Sequence, residues 1–319
     1  MRKRKSITRV LFDEAREYFS KYENDETRKA YIKNYKKYIQ FCRESFDCRS
    51  KEECTKHIQE YSDFLQEKGY TASTIHSYLA CVCNYHGINM DKIKKPIRHT
   101  SEFSRGRGGY KSSALSGDFD NPQFGKIVRF QNLCGIRRAE LKRLKKSDFV
   151  YDESGYPCIQ IFRGKGGKLQ YQRVIGSSDD INFIKSCFEG GKPNDYVFER
   201  TELANKLNFH YLRAKNAQRA YAYYTDRINT EGESFVKELE RQIIDRWTMY
   251  NIDKKTGKPK HFNRNLIEGK YYLRGKNREF ALKNGLDVEY SKLALLAVNV
   301  FHLSHWMNDV GVESYLLVL

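Results

Sequence analysis

Residues 95–113 show no apolar periodicity, and this break divides the 319-residue chain into two parts that we expect to fold separately. The break contains Lys95-Pro96 and the run Ser104-Arg105-Gly106-Arg107-Gly108-Gly109. Glycine, serine and arginine in such a run are typical of a flexible basic linker. We therefore predict a basic N-terminal arm at residues 1–7, a helical domain at 8–94 and a second domain at 114–319.

The first domain carries the spacing of amphipathic helices. Tyr31, Tyr35, Tyr38 and Cys42 recur at helical intervals, with Lys and Arg between them. We expect Ser73 to cap a further helix, because its side chain follows a polar turn and precedes an apolar run. The apolar stripes predict a core. The basic residues between them fit either a solvated face or a face that contacts phosphate, and the sequence leaves both open.

The second domain combines helices with a short β-hairpin. Residues 158–162 and 169–175 have the pattern of strands, and the glycines of Gly164-Lys165-Gly166-Gly167-Lys168 between them supply the conformations of a tight turn. Helical patterns return from about residue 178. The sequence therefore predicts a mostly α protein with a small antiparallel β-sheet.

The charge of the chain indicates a polyanionic partner. The sequence has 58 Lys and Arg against 40 Asp and Glu, a formal net charge of +18 that is spread along the whole chain. A folded protein this basic most often binds nucleic acid, although a basic protein without such a partner remains the alternative. No run of 18 apolar residues occurs, so we expect no membrane span.

The eight cysteines show no Cys-x-x-Cys pair. Cys81-x-Cys83 followed by His86 is the one local cluster, and its spacing is not that of a common zinc site. We interpret these cysteines as reduced thiols of a cytosolic protein that lie in hydrophobic cores.

Several residues with chemistry of their own follow one another in a specific order. Arg137 and Glu140 stand three apart at a helix start, where a carboxylate can hold a guanidinium in place, although such a pair alone is more often a surface ion pair. His210 and Arg213 share one helical turn farther along the chain.

Near the end of the chain His305 is followed ten residues later by Tyr315. The order arginine, hairpin lysine, His-x-x-Arg, histidine and tyrosine resembles the tyrosine recombinase (phage integrase) family. The resemblance extends into the first domain, through residues 27–31 and 73–79. It implies a helical core-binding (SAM-like) domain followed by a tyrosine-recombinase catalytic domain, the two enclosing DNA.

The resemblance also implies roles for single residues. Arg137 and Arg213 would hold the scissile phosphate, since a guanidinium fork matches two phosphate oxygens. Tyr315 would be the nucleophile, and Lys165 at the hairpin tip would protonate the departing 5′ oxygen. His210 and His305 would hydrogen-bond the phosphate and assist proton transfer.

Glu140 would then orient Arg137, and no metal or cofactor is expected, because arginines supply the positive charge. The implied activity is site-specific recombination through a 3′-phosphotyrosyl intermediate, which integrates or excises a bacterial mobile element. The implied partners are double-stranded DNA, a homotetramer on synapsed sites and accessory factors that bend DNA or set direction.

The sequence departs from the family pattern at two places. Ser304 stands where the family usually has glycine, and because a serine side chain can cap or bond locally, the entry to the helix there is expected to differ. Arg213 and His305 are 92 positions apart (305 − 213), which indicates an insertion at about 225–300. Within it, Tyr271 and Arg274 form a rival His-x-x-Arg-like motif with Tyr for His, and under that alternative Arg274 is catalytic and Arg213 contacts the DNA backbone.

Two other functions fit the same residues. The chain could be a non-catalytic, sequence-specific DNA-binding protein derived from this family, which would bind without cleaving. It could also act as a type IB topoisomerase, which uses the same tyrosine chemistry to relax supercoils without a partner site.

Overall fold

The computed structural model of the chain describes residues 6–98, 119–162, 169–253 and 255–317. The chain divides into two compact units, Met1–Phe103 and Ser104–Leu319. Helices dominate the described residues of both units, and the strands of the second unit are short and antiparallel. The prediction of a mostly α fold with a small antiparallel sheet is confirmed.

The first unit consists of helices in the part that the structure describes. They are α1 (Ile7–Phe19), α2 (Asp25–Phe46), α3 (Lys51–Thr55), α4 (Ile58–Glu67), α5 (Ala72–His86) and a 3₁₀ turn, Met90–Lys92.

Side-chain caps explain where several of these helices begin. Ser6, Asn24 and Ser50 each accept a hydrogen bond from a backbone N–H three residues on, which satisfies a donor that the first turn leaves open. Helix α5 is capped by Thr71 and not by Ser73, which already lies inside the helix. Both residues have capping chemistry, and the extended backbone of Thr71 decides between them.

The core of the first unit is unusually aromatic. Phe19, Tyr35 and Tyr85 are buried, with ring centroids 5.9 Å apart for Phe19–Tyr35 and 4.9 Å for Tyr35–Tyr85. Both ring nitrogens of His86 are satisfied, one by the Tyr35 hydroxyl at 3.0 Å and one by the Thr55 hydroxyl at 2.7 Å. Burial lowers the pKa of His86 to about 4, so this imidazole is neutral at physiological pH.

The second unit contains a longer series of helices. Its described α-helices are α6 (Gly125–Cys134), α7 (Arg138–Leu141), α8 (Ser178–Phe188), α9 (Arg200–Leu203), α10 (Phe209–Glu231), α11 (Glu233–Tyr250), α12 (Gly275–Lys283), α13 (Lys292–Val298) and α14 (Asn308–Gly311). Its 3₁₀ turns are Pro122–Phe124, Lys146–Asp148 and Arg264–Leu266, and its π-helical turns are Asn299–Leu303 and Val312–Leu316. Among the residues described, no helix is long and apolar enough to cross a membrane.

Two antiparallel sheets lie in the second unit. The larger has the order β1 (Phe149–Tyr151), β2 (Pro157–Ile161) and β3 (Gln170–Arg173), with Ile161 opposite Gln170 at the end of the predicted hairpin. The hairpin tip, residues 163–168, lies outside the described residues, and Lys165 lies there with it. A smaller sheet that the sequence did not predict pairs β4 (Lys270–Tyr272) with β5 (Glu289–Ser291).

The segment predicted as an insertion, residues 225–300, is an integral part of the second unit. Phe235, Leu239 and Ile243 of α11 and most residues of α13 are buried in one hydrophobic cluster. Tyr315 belongs to the same cluster. The segment therefore supports the region around Tyr315 directly.

A buried ionic cluster joins this segment to the larger sheet. The Asp152 carboxylate, after β1, lies 2.6 Å from Arg173 of β3 and 3.3 Å from Arg246 of α11, and each of the three side chains is at most 6% exposed. Gln242 of α11 also accepts a hydrogen bond of 2.8 Å from Arg173. The Arg173 guanidinium stacks on the ring of Phe301 at 3.7 Å. One carboxylate thus holds two buried cations from different parts of the chain.

We expect Asp152→Asn to lower the free energy of unfolding by about 3 kcal/mol or more, because it leaves the buried Arg173 guanidinium without a counter-charge and Arg246 with only the exposed Glu153. Urea denaturation measures this change. The matched control is Glu153→Gln, since Glu153 is 60% exposed and lies 3.8 Å from Arg246. Equal stability of the two variants would contradict the account of this cluster.

Candidate active site

The backbone before Arg137 is held in place by a tight reversal. Helix α6 ends at Gly135, whose φ of 59° favours glycine, and a Cβ there would lie only 3.0 Å from Asn216. The buried amide of Gln131 accepts a hydrogen bond of 2.8 Å from the Ile136 N–H and donates one of 2.7 Å to the Ile136 carbonyl. The position of Arg137, the next residue, is therefore fixed by groups on both sides.

Glu140 orients the Arg137 side chain. One carboxylate oxygen accepts a hydrogen bond of 2.8 Å from Arg137 Nη1, and the other accepts one of 3.1 Å from the Arg137 backbone N–H. The Glu140 side chain is 3% exposed and that of Arg137 is 26% exposed. Glu140 therefore holds the Arg137 guanidinium in one orientation.

The guanidiniums of Arg137 and Arg213 meet at one backbone oxygen. Arg213, the fifth residue of α10, donates a hydrogen bond of 2.8 Å to the Leu303 carbonyl, and Arg137 Nη2 donates one of 3.1 Å to the same oxygen. Arg213 also donates to the Gly135 carbonyl. The structure thus brings together two cations that are 76 positions apart (213 − 137) in the sequence.

The charge of Arg213 is not neutralised by a carboxylate. Arg213 is 2% exposed and forms no ion pair among the described residues. Burial lowers the pKa of its guanidinium, and the neighbouring charge of Arg137 acts in the same direction. A buried cation without a counter-ion is costly, so the arrangement favours an anion bound between the two arginines.

Tyr315 lies beside this pair of cations. Its hydroxyl is 3.4 Å from Arg213 Nε, and the residue is 8% exposed. The rings of His210 and His305 lie with their centroids 5.3 Å and 6.3 Å from that of Tyr315. A phenol next to a guanidinium and two imidazoles has the surroundings of an activated nucleophile.

Ser304 shapes the backbone between Leu303 and His305. It ends the π-helical turn Asn299–Leu303 in the left-handed conformation, with φ 56°, and the His305 N–H donates a hydrogen bond of 3.0 Å to the Asn299 carbonyl. Left-handed backbone is where glycine is favoured. The serine therefore adopts a backbone conformation that glycine adopts at lower cost.

A close contact between Gly311 and Asn299 positions the turn that carries Tyr315. The buried Asn299 amide donates hydrogen bonds of 3.1 Å to the Met307 carbonyl and to the Asn308 side chain. Its Oδ1 packs so tightly against Gly311 that a Cβ there would overlap it. The turn Val312–Leu316 follows at once.

The rival motif borders the turn that carries Tyr315, since Asn277 of α12 donates a hydrogen bond of 2.8 Å to Glu313 of that turn. Tyr271 is part of strand β4, and Arg274 is exposed at the N-terminus of α12. Burial raises the pKa of Tyr271, and the nearby carboxylates of Glu313 and Asp309 add to this effect. Among the hydrogen bonds of the described residues, it is Arg213 and not Arg274 that donates to the Tyr315 hydroxyl and to the Leu303 carbonyl shared with Arg137.

Sequence reasoning missed the groups that hold these side chains in place. The carbonyls of Gly135 and Leu303 are backbone atoms, and a sequence carries no signal for a backbone acceptor. Gln131 and Asn299 are buried amides with apolar neighbours in the sequence. That neighbourhood was the one available signal, because a buried amide has to find hydrogen-bond partners.

Comparisons with known proteins give little beyond this geometry. No family model matches the chain. No curated protein matches its sequence. Among solved structures, the chain is similar to XerA recombinase, with 18% identity over 66% of this chain and 84% of that chain and a TM-score of 0.23. A likeness at this TM-score carries no inference about the function of the chain.

We expect Gly311→Ala to lower the free energy of unfolding by about 1–3 kcal/mol, because the added methyl group overpacks against buried Asn299. The matched control is Gly125→Ala in α6, where a Cβ meets nothing within 4 Å. There alanine should be neutral or stabilising by up to about 1 kcal/mol, as in an ordinary helix. Urea denaturation that gave both variants the same stability would refute the contact.

We expect Ser304→Gly to raise the free energy of unfolding by up to about 1 kcal/mol, because glycine adopts the left-handed conformation without steric cost. Ser304→Ala keeps that cost and should change stability by less than about 0.5 kcal/mol. Thermal and urea unfolding of the two variants, side by side, measure the difference. Equal stabilities would show that the backbone at Ser304 is unstrained.

Proposed function

We propose that this chain is a site-specific DNA recombinase of the tyrosine type, which cuts and rejoins DNA through a covalent 3′-phosphotyrosyl intermediate. The observation that carries the proposal is the convergence of Arg137 and Arg213 on the Leu303 carbonyl, with the Tyr315 hydroxyl 3.4 Å from Arg213. The net charge of +18 supports DNA as the partner.

The first step is recognition of one phosphodiester by the two guanidiniums. Each presents a planar fork of N–H donors that matches two phosphate oxygens, and each stays charged at any physiological pH. Negative charge grows on the equatorial oxygens as the phosphorus is attacked. Donors already fixed in a site shielded from water stabilise that charge without reorganising.

The second step is attack by Tyr315. The phenol gives up its proton to a neighbouring base, for which His210 and His305, whose rings lie near that of Tyr315, are the candidates. The phenolate oxygen then forms a bond to phosphorus while the bond to the 5′ oxygen breaks. Arg213 stabilises the phenolate as it forms, because its charge is adjacent and little screened.

The departing 5′ oxygen needs a proton. We assign this role to Lys165 of the hairpin, in line with the resemblance, since an ammonium can donate a proton to an alkoxide that leaves beside it. The products are a 3′-phosphotyrosyl ester and a free 5′ hydroxyl. The energy of the broken bond stays in the ester, so a second 5′ hydroxyl can reverse the reaction without ATP, metal or cofactor.

Recombination repeats this exchange on four strands. We propose that a homotetramer holds two double-stranded sites, with accessory factors that bend DNA or set direction. The biological role that follows is integration and excision of a bacterial mobile element in the cytoplasm. The exposed Arg274 and the charged faces of the helices would contact the DNA backbone.

Covalent capture on DNA of randomised sequence tests the proposal, because such a pool contains many candidate target sites at once. The purified chain is mixed with nicked duplexes whose sequence is randomised around the nick, so that the short strand released by cleavage diffuses away and traps the ester. We expect protein-linked DNA on a denaturing gel for the wild type and none for Tyr315→Phe. Tyr271→Phe and Tyr290→Phe are the matched controls and should both retain the band.

Each other outcome points to a definite alternative. A band that survives Tyr315→Phe would place the nucleophile on another residue. DNA binding without a band for any variant would favour the non-catalytic DNA-binding protein. Relaxation of a supercoiled plasmid that lacks every captured sequence would favour a type IB topoisomerase.

We expect Arg213→Lys to slow covalent capture by about 10²–10³-fold, because lysine keeps the charge but loses the fork that holds the transition state. Arg274→Lys should leave the rate within about twofold, since a lysine still contacts DNA backbone from an exposed position. Single-turnover rates measure both, with thermal unfolding to confirm that the Arg213 variant is folded. The opposite ranking of the two variants would transfer the catalytic role to Arg274.

A further inference from the structure

Three cysteine thiols of the first unit meet in its interior. The sulfur atoms of Cys42, Cys48 and Cys54 all lie within 4.8 Å of one another, and the three residues are 0%, 2% and 1% exposed. They are six positions apart in the sequence, which is not the spacing of a common metal-binding motif. Their meeting therefore had no signal in the sequence.

The backbone between α2 and α3 creates this cluster. Helix α2 ends at Phe46, and Asp47 adopts the left-handed conformation with φ 49°, which turns the chain back. The Cys48 N–H then donates a hydrogen bond of 3.3 Å to the Cys42 carbonyl. Ser50 caps the five-residue helix α3, and Cys54 is the buried residue of that helix.

Two side chains brace the turn. Arg43 Nη1 donates hydrogen bonds of 3.1 Å to the Asp47 carbonyl and 3.0 Å to the Cys48 carbonyl. The buried Tyr38 hydroxyl donates to the Cys54 carbonyl. The three thiols thus lie on a frame that is fixed before any ligand binds, and a fixed frame lowers the entropic cost of binding.

We propose that Cys42, Cys48 and Cys54 form a binding site for one thiophilic metal ion, such as Zn²⁺ or Cu⁺, which three thiolates hold. An ion about 2.3 Å from each of three coplanar sulfurs holds those sulfurs about 4.0 Å apart, and the three sulfurs here already lie within 4.8 Å of one another. The site offers three soft sulfur ligands in a buried setting. Such a donor set selects these ions over Mg²⁺ and Ca²⁺, which prefer oxygen.

The thiols lose their protons as the ion binds, because a thiolate and not a thiol is the ligand. Binding should therefore strengthen as pH rises.

The other cysteines of the chain provide an internal comparison. Cys81 and Cys83 of α5 are also buried, and burial raises the pKa of both thiols, to about 12 and about 11. Among the residues that the structure describes, the cluster of Cys42, Cys48 and Cys54 is the group with the spacing of a metal site. Burial alone does not produce that spacing.

A bound ion would join the end of α2, the turn after it and α3 into one unit. The ion binds the folded arrangement and not the unfolded chain, so occupancy raises stability by mass action. We infer that the ion stabilises the first unit. This role does not depend on the recombinase proposal.

The test is a titration of the reduced, metal-free chain with Cd²⁺ as the probe. Binding is measured from the ultraviolet charge-transfer band of cadmium–thiolate bonds. We expect one Cd²⁺ per chain, a raised unfolding temperature and competition by Zn²⁺ or Cu⁺. Cys48→Ser should weaken Cd²⁺ binding at least about 100-fold, because it removes a ligand of the ion. Loss of a group that only orients a ligand costs about 10–100-fold. Cys83→Ser is the matched control and should bind as the wild type does.

A second measurement needs no variant and so does not depend on the folding of Cys48→Ser. Wild-type chain is alkylated with and without Cd²⁺ in urea below its unfolding midpoint, and the modified cysteines are mapped by mass spectrometry. Cd²⁺ should protect Cys42, Cys48 and Cys54 and leave Cys81 and Cys83 unprotected. Uniform protection, absence of the charge-transfer band, or Cd²⁺ binding that Cys48→Ser leaves intact would each overturn the proposal.

Discussion

The carbonyl oxygen of Leu303 receives hydrogen bonds from both Arg137 and Arg213, and the rest of the site depends on this shared acceptor. Two guanidiniums so close repel each other, and only Arg137 has a carboxylate partner, in Glu140. The excess charge has one natural complement, an anion placed between the two forks. The Tyr315 hydroxyl lies 3.4 Å from Arg213, so in the proposed reaction recognition of a phosphate and attack on it would arise from the same arrangement.

The position of Leu303 is in turn set by packing on both sides of it. Phe301 is buried under the Arg173 guanidinium, and Arg173 is held by Asp152 together with Arg246. A helix from the segment predicted as an insertion thus takes part in supporting the site. This explains why that segment lies in the core: its buried Arg246 pairs with Asp152, which directly follows β1, and its apolar residues share one hydrophobic cluster with Tyr315.

The sequence predicts best what is local. The β-hairpin follows from glycines between two alternating runs, and the Arg137–Glu140 pair follows from a spacing of three residues at a helix start. Contacts between residues far apart in the sequence could not be predicted from it. Arg137 and the Leu303 carbonyl are 166 positions apart, and a backbone oxygen leaves no pattern in a sequence. The meeting of three thiols around Cys48 was equally hidden, because it depends on the left-handed conformation of Asp47, which is uncommon outside glycine.

The most direct test of the central claim is to identify the residue that carries DNA after covalent capture. Trypsin releases residues 293–319 as one peptide, since no Lys or Arg follows Lys292, and Tyr315 is its one tyrosine. After nuclease digestion, mass spectrometry should find a nucleotide attached to this peptide at Tyr315. A nucleotide on a different peptide, such as the one that contains Tyr271, would contradict the assignment of the two arginines and Tyr315 to one active site.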